Sequence, residues 1–185
     1  LHKEYRRQRQ MCIRDRDIPK VDDSQLAYHN PVIRIAAPDP TAMRAKDGYF
    51  YLYATEDIRN LPIFRSRDMV KWEEIGTAFT DETRPDFLPD NKDVKERAHL
   101  WAPEIRYVKG KYVLFYSLAQ WGNHWVSTVG YAVSDSPEGP FTPKGKVFDS
   151  REVNVENSID QYFYEEDGKY YICLLYTSPS PRDLS

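Results

Sequence analysis

Asp39, Glu104 and Asp160 recur at matching places in this sequence. Each opens a short segment that passes through a Gly-centred turn into a Tyr-rich strand: APDPTAMRAKDGYFYLYAT from Ala37, WAPEIRYVKGKYVLFYSLA from Trp101 and NSIDQYFYEEDGKYYI from Asn157. Carboxyl groups gathered on a rigid frame suit acid–base chemistry. Hydrolysis of a glycosidic bond, for example, needs two of them with pKa values pushed apart, one protonated to assist the leaving oxygen and one ionised to activate water. Neighbouring negative charge is one way to raise the acid. Taken alone, each carboxylate has a purely structural reading: Asp39 in Pro-Asp-Pro caps a turn, Glu104 in Ala-Pro-Glu pairs with an arginine, and Asp160 satisfies backbone amides at a strand start. Their recurrence at a shared position favours a joint role.

Recurrence in fixed order, at an interval of roughly 55 to 65 residues, marks a repeat architecture in which each unit is one small sheet. The fold class expected is all-β, a β-propeller, whose equivalent positions face one central axis; Asp39, Glu104 and Asp160 should then converge on a single funnel. GYFYLYAT, KYVLFYSLA, VGYAVSDS and KYYI are β-branched and aromatic runs bounded by turn residues, and helical periodicity is nearly absent. Lys46-Asp47-Gly48, Lys109-Gly110 and Asp167-Gly168 supply tight turns where Gly or Asp tolerates positive φ. The outer half of each unit repeats too: IFRSRDMVKWEEIGTAF from Ile63 matches VGYAVSDSPEGPFTPKGKVF from Val129, with Trp72 and Phe141 in corresponding places, expected to fill the wedge between adjacent sheets. Thr80 to Arg97, rich in Asp, Pro and Lys, reads as an exposed connection with a solvated charge run. No apolar run approaches the ~20 residues of a membrane span.

Both ends need separate treatment. Arg6 to Arg16 reads RRQRQMCIRDR and Cys173 to Asp183 reads CLLYTSPSPRD. Both strings resemble translated transposon-type adapters of sequencing-library preparation, one reading into an insert and the other out of it, with the adapter's leading C completing the Ile172 codon. Residues 1–16 and 173–185 are therefore expected to be adapter-derived and non-native, and 17–172 to be the natural segment. On that division the Arg-rich start carries no nucleic-acid or targeting signal, and Cys12 and Cys173 carry no disulfide signal. The formal charge moves from −3 to −7, with 19 basic against 26 acidic residues left, a poor binder of phosphate backbones.

NPVIRIAAPDPTAMRAKDGYFYLYAT, HLWAPEIRYVKGKYVLFYS, GYAVSDSPEGPF and NSIDQYFYEEDGKYYI, in this order and spacing, resemble the first two and a half blades of glycoside hydrolase family 43, five-bladed β-propellers acting on arabinan and xylan side chains. The resemblance covers nearly all of residues 30–172, so 17–172 is expected to be a partial glycoside hydrolase propeller domain. It implies an inverting glycosidase of plant cell-wall polysaccharide, cleaving α-L-arabinofuranosyl or β-xylosyl linkages, secreted or periplasmic. It also implies residue roles. Asp39 matches the general base, and Asp160 matches the Asp that raises and orients the general acid, although Gln161 stands where the family usually has Pro. The acid itself is a Glu of a later blade, beyond Ile172, so this chain alone is expected to be inactive. The Glu104 position is not the family's proton donor, which leaves Glu104 a structural or substrate-proximal role. Trp101 matches an aromatic near the active centre, and Trp121, in Gln-Trp-Gly-Asn, lies where an aromatic loop residue stacks on a sugar. No cofactor is expected in this segment; the resemblance implies that some members hold an axial calcium ion through a His of a later blade.

Other chemistries lack their signatures. His29, His99 and His124 show no zinc-type spacing, so no metal ligand is assigned, and there is neither a Gly-rich phosphate loop nor a Ser nucleophile motif. The expected partner is a plant polysaccharide or oligosaccharide, with no nucleic acid and no membrane span. Two alternatives remain: a non-catalytic carbohydrate-binding propeller, which has no use for a paired Asp39 and Asp160, and a retaining sucrose-type propeller enzyme, whose Asn-Asp-Pro nucleophile motif is missing because Asp39 follows Pro38.

Overall fold

The structure, a computed structural model, describes residues 28–86 and 98–175. The chain divides into two compact units, 1–32 and 33–185. The described part of the first, residues 28–32, contains no strand or helix. All strands among the described residues lie in the second unit. Leu1–Arg16, expected to be adapter-derived, lies outside the described residues.

Among the described residues ten strands form three antiparallel sheets. The first sheet runs in sequence order through β1 (Thr41–Arg44), β2 (Phe50–Tyr53), β3 (Pro62–Ser66) and β4 (Trp72–Thr77). The second repeats it with β5 (His99–Val108), β6 (Lys111–Ala119), β7 (Thr128–Ser134) and β8 (Thr142–Asp149). The third has, among the described residues, β9 (Ile159–Glu166) and β10 (Lys169–Leu175). Two whole blades and half of a third are thus present, as the repeats imply.

The turn chemistry explains the register. Lys109 (φ 47°) with Gly110 (φ 86°), and Asp167 (φ 51°) with Gly168 (φ 71°), form two-residue loops with both central residues at positive φ, the hairpin turn whose twist matches that of the strands. Farther out, Ser66 and Ser134 end matching strands and accept hydrogen bonds from the following turn, Ser66 from the amides of Asp68 and Met69 and Ser134 from that of Ser136. A helical turn, α1 (Ser150–Val153), capped by Asp149, leads from β8 towards β9.

The core lies between the first two sheets. Tyr51, Tyr53 and Ile63 from one side meet Ile105, Leu114 and Tyr116 from the other. Phe141 is 1% exposed and stands edge-on to Tyr53, with centroids 6.0 Å apart, while its amide donates to the Ala78 carbonyl at 3.3 Å. It fills the wedge as expected. Trp72 does not fill the same wedge. It pairs with Ser66, and side chains alternate along β3: Arg65 reaches Glu138 of the second blade, so Ser66 and Trp72 share the opposite face. Trp72 is half-buried there, its indole N–H donating to the Met69 carbonyl at 2.9 Å.

The third sheet packs on the second through Phe163, stacked on Phe115 at 5.3 Å. Tyr162, Tyr171 and Leu175 of this sheet are exposed. Strand β10 continues three residues past Ile172, with an irregularity between Cys173 and Leu175 and both of those side chains exposed. The connection after β4 departs from the expected solvated run: Arg84 turns inward and Pro85 is buried. Its remainder, residues 87–97, lies outside the described residues.

Candidate active site

Asp39 sits just before β1 at φ 48°, Ala102 within β5 at φ 39°, and Asp160 at the start of β9 at φ 55°. These are the structurally equivalent positions of the three blades. Ala102 and Asp160 lie eight residues before their turn glycines, Gly110 and Gly168; Asp39 lies nine before Gly48, because the first hairpin has a longer turn. A left-handed backbone costs an ordinary residue about 1–3 kcal/mol and is easiest for Gly, Asn and Asp. Ala102 adopts it without a carboxylate. The backbone shape therefore does not require Asp, and the acids at 39 and 160 call for a reason in their side chains.

That reason is a cleft of about 510 Å³ whose wall includes both Asp39 and Asp160. Thr55, directly after the first blade's β2, donates its hydroxyl to Asp39 Oδ2 at 2.8 Å, and its amide donates to the Pro38 carbonyl at 2.9 Å. Asp160 keeps accessible surface at the cleft, yet its carboxyl is held above the ordinary range, first by desolvation against the cleft wall and then by the negative charge of Asp39. The two acids thus feel each other electrostatically. Trp101 and Trp121 line the same cleft, rings 5.0 Å apart and tilted by 48°. Trp121 is 83% exposed, raised by the turn at Gly122 (φ 76°), while Trp101 is half-buried. Together they offer two apolar ring faces, inclined to each other, beside the acids.

Glu104 does not join them. Two residues beyond Ala102, it is buried between blades, where it accepts from Thr41 Oγ1 at 3.0 Å and pairs with Arg106. Desolvation raises its carboxyl, only partly offset by Arg106 and Thr41. The expected convergence of three acids on the funnel is therefore corrected to two. Glu104 is a tie between sheets.

Two cleft residues escaped the sequence reading. Thr55 is one. Glu56 is the other: buried, it takes two hydrogen bonds from Arg84 (2.6 and 2.5 Å) and one from each of the Asn60 and Leu100 amides, both at 2.9 Å. Burial opposes its ionisation, but these donors outweigh it and hold the carboxyl below the ordinary range. The arrangement bolts the β2–β3 loop to β5. The hint in the sequence is slight: an acid three residues after the end of β2, and Arg84 as one of two arginines in the connection after β4. Among the described residues no group of three or more His, Cys, Asp or Glu converges to hold a metal ion; the His through which the resemblance implies calcium in some members belongs to a later blade.

The chain is similar to several known proteins. A xylan 1,3-beta-xylosidase from Vibrio sp is 29% identical over 150 residues, covering 77% of this chain and 26% of that protein. An extracellular endo-alpha-(1->5)-L-arabinanase from Thermotoga petrophila is 30% identical over 176 residues, covering 80% of this chain and 35% of that protein. The solved structure of Cellvibrio cellulosa alpha-L-arabinanase superimposes with a TM-score of 0.63 at 29% identity, covering 75% of this chain and 44% of that one. The chain thus spans less than half the length of these relatives. The profile of Glycosyl hydrolases family 43 matches residues 28–182, most of the sequence, and with two and a half propeller blades placing two acids on one cleft, the chain belongs to that family.

Proposed function

We propose that this chain is part of an inverting glycoside hydrolase acting on α-L-arabinofuranosyl or β-xylosyl linkages of plant cell-wall polysaccharide. Asp39 is the general base. Oriented by the Thr55 hydroxyl, it takes a proton from the water that attacks the anomeric carbon. The proton donor to the leaving oxygen is a Glu of a later blade, and Asp160 raises its pKa and orients it. Trp101 and Trp121 stack on the sugar. One observation carries the reading: two of three equivalent left-handed positions hold an Asp at the same cleft, while Ala102 shows that the backbone does not demand one. A binding-only propeller would use the aromatic pair but gains nothing from coupled carboxylates, which favours the enzyme.

The native division of the chain, 17–172 between adapter-derived ends, belongs to the same proposal. So does secretion, supported by the relative that is named extracellular. A polysaccharide is the partner; an acidic cleft is ill suited to nucleic-acid phosphates. The test is proton NMR of the first products formed by the full-length enzyme from nitrophenyl α-L-arabinofuranoside and nitrophenyl β-xyloside. Initial appearance of the inverted anomer from either is expected. Initial retention, or no hydrolysis of either substrate or of arabinan and xylan, would overturn the proposal.

A further inference from the structure

Asp39 and Asp160 stand on different blades, so something must hold their relative placement across the sheets between them. Thr55 Oγ1 gives its single proton to Asp39 Oδ2 (2.8 Å), and the same oxygen accepts from the Ala102 amide (2.7 Å). The other side of Ala102 is engaged as well: its carbonyl accepts from Gln161 Nε2 at 2.5 Å, and Gln161 Oε1 accepts from Ser117 Oγ at 2.7 Å. Gln161 is 4% exposed and directly follows Asp160. Ala102 can serve both neighbours because the β5–β6 register shifts between Trp101 and Glu104, leaving it out of the ladder.

We propose that this hydrogen-bond chain, from Asp39 through Thr55, Ala102 and Gln161 to the backbone beside Asp160, sets the geometry of the carboxylate pair, with Thr55 and Gln161 as positioning residues. The inference rests on the reading of Asp39 and Asp160 as paired catalytic carboxylates. The blade that lacks an acid contributes its peptide group instead. Position 161 marks the device within the chain itself: the residue after the left-handed position is Pro40 in the first blade and Pro103 in the second, and a Pro side chain could make neither of the bonds that Gln161 makes. Catalytic groups must be held to a fraction of an ångström, and a misplacement of about 1 Å can cost on the order of a hundredfold in rate.

The test uses the full-length enzyme with Thr55→Val, Thr55→Ser, Gln161→Leu and Gln161→Pro, alongside Asp39→Asn. Thr55→Val and Gln161→Leu are each expected to lower kcat about tenfold with KM changed less than about twofold, and the double variant to lose little more than the worse single, since both cut one chain. Thr55→Ser, which keeps the hydroxyl, should restore kcat. Hydrogen exchange at the Ala102 amide should quicken about tenfold or more in Thr55→Val but not in Thr55→Ser. Gln161→Pro retains a residue type that the other blades accept, so it keeps the test decisive should Thr55→Val fail to fold; it is expected to behave as Gln161→Leu. Parental kcat in Gln161→Pro, or parental Ala102 exchange in a folded Thr55→Val, would overturn the proposal. Near-normal turnover in Asp39→Asn would instead strike the carboxylate reading, while Ala102 exchange would still report whether the chain exists.

Discussion

Replacing Glu56 by Gln is the perturbation whose size the structure determines best. The substitution preserves shape but removes the charge opposite Arg84 and turns one acceptor oxygen into an amide donor. That donor faces groups that are donors themselves: two guanidinium nitrogens and the amides of Asn60 and Leu100. Arg84 is itself largely buried, so its charge is left without a carboxylate, with Asn60 Oδ1 and the Ala98 carbonyl as its neutral acceptors. Breaking a buried pair on one side costs about 3–5 kcal/mol. With a urea slope of about 2 kcal/mol/M, the unfolding midpoint should drop by about 1.5–2.5 M at pH 7, read by tryptophan fluorescence. The pH dependence gives a second check. The folded-state carboxyl of Glu56 titrates below its unfolded value of about 4.3, so its contribution is complete above that pH and is lost as pH falls through the folded value. The gap between parent and variant should therefore hold steady from pH 7 to about 5 and narrow below about 4. A loss under about 1 kcal/mol at pH 7, or a gap that widens on acidification, would refute the assignment of Glu56 as the charged bolt of the cleft wall.

The remaining predictions concern packing, binding and the isolated chain. Phe141→Ala should cost about 3–5 kcal/mol in chemical denaturation, because it empties the wedge beside Tyr53; a loss under about 1 kcal/mol would contradict that packing. Trp121→Ala, at a residue 83% exposed, should weaken arabino-oligosaccharide binding about threefold to tenfold by calorimetric titration while leaving stability within about 0.5 kcal/mol; unchanged affinity would remove it from the sugar platform. The 185-residue chain by itself should release no product from debranched arabinan and should self-associate in light scattering through the open β10 edge and the exposed Tyr162, Tyr171 and Leu175; a monodisperse, active chain would be the contrary result.

Much of this architecture could be read from local signals. The two-residue turns at Lys109-Gly110 and Asp167-Gly168 need positive φ, and few sequences supply it, so the hairpins and their spacing were visible. The Gly122-Asn123 turn likewise explains why Trp121 is exposed. Ala102 was harder to find. The longer β1–β2 turn shifts the count by one residue, and the eye settles on Glu104, an acid two places on that faces into the sheet contact rather than the cleft. Trp72 and Phe141 do share a register position, but the sequence does not say which neighbour each face meets; Phe141 meets the first blade and Trp72 points the other way. Glu56 and Thr55 belong to tertiary closure: Arg84 lies 28 residues from Glu56, and Ala102 lies 47 from Thr55. No periodicity announces such pairs. In the sequence Gln161 stands out only as a departure from Pro; its role comes from Ser117 and Ala102, which flank its amide in the fold.

Turnover of Asp39→Asn and Asp160→Asn in the full-length enzyme, on debranched arabinan and a nitrophenyl arabinofuranoside, bears most directly on the central claim. Asn at position 39 can still accept the Thr55 hydrogen bond, so the fold and oligosaccharide binding should persist while the water-activating base is gone. The account predicts loss of turnover in Asp39→Asn by a factor of about a hundred or more with affinity largely retained, and a smaller loss in Asp160→Asn with a displaced acidic or basic limb of the pH–rate profile. Near-normal turnover in purified, folded Asp39→Asn would contradict it.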